Sequence, residues 1–315
     1  MNNTSARNAV LLIGGPDAGK SNFLFRLWIA IDGGGGALIK DGLPSEVYYL
    51  REGAERLLEG EFAGHTSREV HEQVAVPVKS SATGVSGTLV VPDVPGEQVL
   101  VICRNRQWSR AWEDLISNRC ACLLFVRAGS DKVVAPLDWG TCFERYGAII
   151  EAPKPAEQAQ AEAAVGAAEL VDKQTHDEKA TELPTQVVLT EWLQFLRQAF
   201  TAVAGGTFRP RVGVVIAAWD AVPIEQKPEG PVPYLKDNFP MLYQFIEAND
   251  DLFDFRVFGV SIVDGDLKND EEFKEAYLKG RPQDFGFVIH SLSGQLERSP
   301  DITFPVAWAL RLLPD

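Results

Sequence analysis

The segment that most restricts what this chain can become is GGPDAGKS, residues 14 to 21. It fits the pattern G-x-x-x-x-G-K-[ST], and its flanks fit the same reading. The apolar run AVLLIG, residues 9 to 14, precedes it and is expected to form a strand. A helix is expected from Ser21, because Phe23, Leu24, Leu27, Trp28 and Ile31 recur at helical spacing. Glycines let the backbone turn tightly, so that successive N–H groups point inward around a phosphate. The helix N-terminus adds partial positive charge at the same place. Lys20 is expected to bridge the β- and γ-phosphates of a nucleoside triphosphate, and the Ser21 hydroxyl to ligate Mg²⁺. Gly14, Asp17, Ala18, Gly19 and Asn22 complete the expected nucleotide contacts of the loop. A plain glycine turn before a helix is the alternative.

Beyond this loop the chain alternates strands and helices. Gly33 to Gly36 break the first helix, and a second is expected over Ser45 to Glu59 with Ser45 as its N-cap. Val70 to Val78 alternates apolar and polar residues as a half-exposed strand does. A turn-rich loop, Ser80 to Gly87, leads to an apolar strand, Thr88 to Val91. A helix is expected around Ser109 to Asn118, and Cys120 to Val126 reads as a strand buried on both faces. Then come a helix over Val187 to Val203, a strand over Val212 to Ala218, a helix over Tyr234 to Ala248 and a strand over Arg256 to Val263. TFPVAWALRLL suggests a final helix. Such alternation predicts an α/β architecture with a mostly parallel central sheet and helices on both faces. Residues 151 to 184, rich in Ala, Glu, Gln and Lys and without an aromatic residue, are expected to be a flexible insertion in a single domain spanning 1 to 315.

Composition narrows the partners. With 45% hydrophobic and 23% charged residues in 315, a core of normal size forms without disulfides or metal. The formal net charge of −14 disfavours nucleic acid and anionic membranes as partners. Cys120 and Cys122 lie in an apolar run with no further metal ligands near them and read as small core residues. The start, MNNTSARNAV, lacks a charged segment followed by a long apolar one, and no run of 18 apolar residues occurs, so a cytoplasmic location is expected.

A second motif, PDVPGE at residues 92 to 97, follows the strand that ends at Val91. Asp93, at a strand end, can hold Mg²⁺ through water, and Gly96 can set its N–H against a γ-phosphate; an ordinary strand-ending turn is the alternative. In this order and spacing, the two motifs resemble the translation-factor-related and Ras-like class of P-loop GTPases. The resemblance implies the three-layer P-loop NTPase fold. It also implies a switch threonine in the loop before the second strand, where Thr66 stands with Ser67 beside it. The base-reading motif Asn/Thr-Lys-x-Asp would close the strand after Val212, and there the chain reads AAWD. Only Asp220 matches, because Ala217 and Ala218 replace the Asn and the Lys, which leaves guanine specificity open. Ser261 is the match to the last motif, a Ser-Ala-type turn. Glu97, followed by Gln98, takes the water-orienting position, where its charge repels the γ-phosphate and predicts slow turnover. Lys20, Thr66 and Glu97 are thus the expected catalytic residues, and Ser21, Thr66 and Asp93 the expected metal ligands. Arg104, Arg106, Arg110 and Arg127 are candidates for an internal arginine finger, with solvated surface arginines as the alternative.

The phrases LLIGGPDAGKSNFLFRLW, LREGAERLLEGEFAGHTSR, LVVPDVPGE and ITFPVAWALRLL are similar to the double-GTPase group of bacteria. That resemblance implies a GTP/GDP- and Mg²⁺-dependent regulatory switch in a conflict or defence system, with a second GTPase subunit or another effector as partner. Two other readings stay open. One is a P-loop ATPase, favoured by the degraded base motif but lacking a long aliphatic run ending in Asp-Glu. The other is a nucleotide-binding scaffold with little or no hydrolysis, against which the intact Lys20 and Ser21 argue.

Overall fold

The apolar runs of the sequence become the central strands of the sheet, and their alternating side chains feed two separate cores. A computed structural model describes residues 10–63, 74–91, 121–130, 184–204, 209–292 and 294–313, with 102, 103, 105 and 133. β1 (Val10–Ile13), β5 (Ala121–Arg127), β6 (Arg211–Ala217) and β7 (Asp254–Ser261) pair in parallel, in the order β1-β5-β6-β7. β8 (Phe287–Leu292) and β9 (Gln295–Ser299) extend this sheet as an antiparallel hairpin. Leu11, Ile13, Leu124, Val126, Val214 and Ile216 point to one face. They meet α3 (Thr185–Ala204) through Trp192, Leu193 and Leu196, and α4 (Pro231–Asn238) and α5 (Pro240–Glu247) through Leu235 and Leu242. Val10, Leu12, Leu123, Phe125 and Val215 point to the other face, toward α1 (Lys20–Gly33), α2 (Val47–Leu58) and α7 (Phe304–Ala309). The result is the three-layer α/β arrangement with a mostly parallel sheet, as the sequence suggested.

A second sheet of three antiparallel strands, β2 (Leu38–Lys40), β3 (Val74–Ser80) and β4 (Ser86–Val91), lies on the α1 side, with β4 alongside β1. β3 alternates buried and half-buried residues, so one face is covered. Within the described residues it runs from Val74, and its end at Ser80 and the start of β4 at Ser86 trim the expected loop. Ser45 is not the cap of α2. The helix starts after Glu46, and the Ser45 hydroxyl instead accepts from the Ala75 N–H at 3.0 Å, tying the helix entry to β3. Gly53 of α2 meets α1 closely, since a Cβ there would lie 2.3 Å from the Phe25 ring.

The expected helix over Tyr234 to Ala248 is two helices. Pro240 has no N–H to continue the ladder of α4, and Phe239 leaves helical geometry at φ −133 and ψ 55. α6 (Glu271–Lys279), missed in the sequence, is capped by Asp270, whose side chain accepts from the Phe273 N–H at 2.9 Å. Among the described residues, no helix is long and apolar enough to cross a membrane. The helix expected around residues 109 to 118 and the segment 151 to 183 lie outside the described residues.

Candidate nucleotide site

The four parallel strands end at one edge of the sheet, and the candidate residues follow those ends. Gly14 leaves β1 so close to β5 that a Cβ would lie 2.6 Å from the Phe125 carbonyl oxygen, so a side chain there would push the loop off the sheet. Asp17 and Gly19 take left-handed backbone angles, φ 60 and φ 90, the alternation that turns backbone N–H groups toward a common centre. Ala18 is buried beneath them, and the Phe23 N–H donates to the Gly19 carbonyl at 2.9 Å to begin α1. Lys20 folds back over the loop. Its Nζ donates to the Gly14 and Gly15 carbonyls at 2.8 and 2.9 Å, which centres the ammonium over the anion cradle. Ser21 follows in the first turn.

Asn22 has a structural task that the sequence did not reveal. Its Oδ1 accepts from the Ala63 N–H at 2.9 Å, and its Nδ2 donates to the Ala63 carbonyl at 3.5 Å. Ala63, three residues before Thr66, is thereby fixed next to the Ser21 turn. Arg127, at the end of β5, reaches Asp17 across the mouth of the loop, with Nη1 3.0 and 3.1 Å from the two carboxylate oxygens.

Asp220 sits beyond the end of β6, in a 3₁₀ turn over Trp219–Ala221. Ala218 before it is left-handed at φ 55, an unfavourable angle for a residue with a Cβ. That bend lets Trp219 dive into the core while Asp220 stays half-buried at the edge. Burial raises the Asp220 carboxyl above the usual carboxylate range, a hydrogen bond from Ser261 pulls it part of the way back, and Asp264 and Lys227 act in opposite senses. Ser261, fully buried at the end of β7, also accepts from the Asp264 N–H at 2.8 Å. Lys227 Nζ donates to the Asp220 carbonyl at 2.7 Å and pins the turn. The structure thus brings Asp220 and Ser261 together, as the motif order implied. It adds Lys227, which no motif spacing pointed to.

Residues 11–309 match the family model described as Double-GTPase 1. The chain belongs to the Double-GTPase 1 family. No curated protein matches it. Among solved structures it is similar to Roco2 RocCORdC of Methanosarcina barkeri bound to GDP, at 12% identity and a TM-score of 0.29. That alignment covers 87% of this chain and 47% of the other, so the chain spans about half the length of that relative.

In this Double-GTPase 1 chain, the helix that follows the glycine loop and the segment after Ser261 are joined beneath the surface. Arg26 of α1, only 3% exposed, donates to the Ile262 carbonyl at 3.1 Å, next to Ser261, and to the Pro282 and Phe285 carbonyls at 2.7 and 2.6 Å. Burial lowers the Arg26 pKa, and the three carbonyl dipoles supply the compensation that a buried guanidinium needs. Thr66, Ser67, Asp93, Gly96, Glu97, Gln98, Arg104, Arg106 and Arg110 lie outside the described residues. Among the described residues, no cluster of three or more His, Cys, Asp or Glu side chains could hold a metal ion by itself.

Proposed function

We propose that this chain is a Mg²⁺-dependent GTP-binding switch with slow intrinsic hydrolysis, acting in the cytoplasm in a bacterial conflict or defence system. Membership of the Double-GTPase 1 family supports the guanine-nucleotide part of this reading. The observation that carries it is a convergence at one sheet edge. A lysine-bearing phosphate loop and a half-buried acceptor, Asp220 held by Ser261, follow the ends of β1 and β6, with β5 between them in the sheet. An ionised carboxylate accepts from the two N–H groups on the edge of guanine that adenine lacks, and this favours a GTPase over an ATPase despite Ala217 and Ala218.

Mg²⁺ keeps several waters and takes one or two protein ligands besides phosphate oxygens, so a protein cage is not required. Ser21, in the first turn of α1, would supply one ligand, and Asp93 and Thr66 are the other expected donors. The metal would neutralise phosphate charge; Lys20 would share that task and Glu97 would orient water. The Asn22 tether supports a switch, because it anchors the chain just ahead of Thr66 to the helix that carries Ser21. A second GTPase subunit is the proposed reader of that switch.

The test is equilibrium binding of labelled GTP and ATP, with and without Mg²⁺, to the wild type and Lys20→Ala. The expected result is Mg²⁺-dependent binding of GTP that the variant loses while its fold survives. Preference for ATP would overturn the guanine assignment. Unchanged affinity in the variant would overturn the phosphate site.

A further inference from the structure

The pair formed by Asp17 and Arg127 does not fit the ordinary logic of a phosphate site. A loop that gathers backbone N–H groups around an anion gains nothing from a carboxylate at its mouth, because like charges there repel. Asp17 nevertheless stands in the loop, at a left-handed φ of 60. Both side chains are 41% exposed, and an ion pair that exposed contributes little to folding. Its use must therefore be sought in the bound state.

Arg127 ends β5, the strand against which Gly14 is pressed, so its backbone is fixed relative to the loop. Its hydrogen bonds to Asp17 use Nη1 alone. Among the described residues, Nε and Nη2 make no hydrogen bond, whereas a guanidinium carries five donors in a rigid fork suited to phosphate oxygens. We propose that Asp17 and Arg127 form a clasp that retains nucleotide. Asp17 holds one edge of the guanidinium, and the remaining donors close on a phosphate oxygen of a nucleoside di- or triphosphate. Release requires the clasp to open, so the pair sets the dissociation rate. The proposal rests on the nucleotide-binding reading above.

The test is stopped-flow displacement of a fluorescent GDP, and of a non-hydrolysable GTP analogue, from the full chain. Arg127→Ala is expected to speed release by at least about tenfold, since a charge-assisted contact is lost. Arg127→Lys should recover only part of this, because an ammonium cannot hold Asp17 and phosphate in one plane. The coupling has a distinctive sign. Asp17→Asn speeds release in the wild-type background, where it frees Arg127. It slows release in the Arg127→Ala background, where it removes an unopposed negative charge. The melting temperature of nucleotide-free Arg127→Ala should match that of the wild type. Wild-type release rates in Arg127→Ala, or an Asp17→Asn effect of the same sign in both backgrounds, would overturn the clasp alone, provided that wild-type binding depends on Lys20. A wild type that binds no nucleotide would overturn the clasp and the proposed function together.

Discussion

One methyl group at Gly259 tests whether the Asp220 carboxylate, the proposed base reader, is placed by packing. Gly259 lies in β7 opposite Ile216 of β6. A Cβ there would stand 2.5, 2.6 and 2.9 Å from Cδ2, Cε3 and Cγ of Trp219. Carbon atoms in contact sit about 3.5–4.0 Å apart, so the indole must retreat by about 1 Å. It has little room to do so. Trp219 is 2% exposed and meets Tyr234 edge-on, with ring centroids 5.6 Å apart. The backbone of Gly259 is held in the β6–β7 ladder and yields no more readily. Overpacking of this kind costs about 1–3 kcal/mol. Trp219 shares its 3₁₀ turn with Asp220, so a displaced indole also shifts the carboxylate relative to Ser261. Gly259→Ala is expected to lower the unfolding free energy in urea by that amount and to weaken GTP binding. Affinity for inorganic tripolyphosphate, which has no base to read, should stay at the wild-type value. Adding Trp219→Leu should return part of the loss, with a coupling of about 0.5–3 kcal/mol. Wild-type stability together with wild-type GTP affinity in Gly259→Ala would refute the argument.

Two pH profiles follow from the buried titratable groups. Asp220 has a carboxyl pKa raised by burial, and in the proposed base-reading role only its ionised form would accept both guanine N–H groups, so GTP affinity should fall as pH drops through that raised value. Asp220→Asn should flatten the profile and shift preference toward xanthosine triphosphate, as a titration of both nucleotides across pH would reveal. His290, 2% exposed and stacked on Phe304 with centroids 4.1 Å apart, has a pKa lowered by burial, against an opposing pull from Glu297 and with Arg256 adding to the lowering. The unfolded chain therefore takes up the histidine proton first, and stability is lost as pH falls from about 6.5 toward the lowered folded value. The Nδ1 of His290 has no hydrogen-bond partner among the described residues, so His290→Phe should add about 1–3 kcal/mol in urea and remove this acid-side loss. An unchanged acid slope in that variant would assign the loss to other groups.

What the sequence determined by itself was local or periodic. The strand, glycine loop and amphipathic helix around Lys20 were legible because their signals are contiguous, and the apolar runs over residues 121–126 and 212–217 because a strand buried on both faces leaves no polar position. Asp220 and Ser261 were found through motif order alone. The break at Pro240 has a signal in the proline itself, set within an apolar helical period that runs through it, and Gly294, at a left-handed φ of 82, marks the β8–β9 hairpin. Other features had no sequence signal to find. Ser45 looks like a cap, but the neighbouring β3 N–H outcompetes the helix for its hydroxyl. The meetings of Asp17 with Arg127, Asn22 with Ala63, Arg26 with Ile262 and Lys227 with Asp220 are tertiary. A side-chain hydrogen bond depends on where two backbones end in space. That is fixed by the order in which β1, β5, β6 and β7 pair and by the depth to which Trp219 sinks beside Gly259, neither of which is written in any single stretch of the chain.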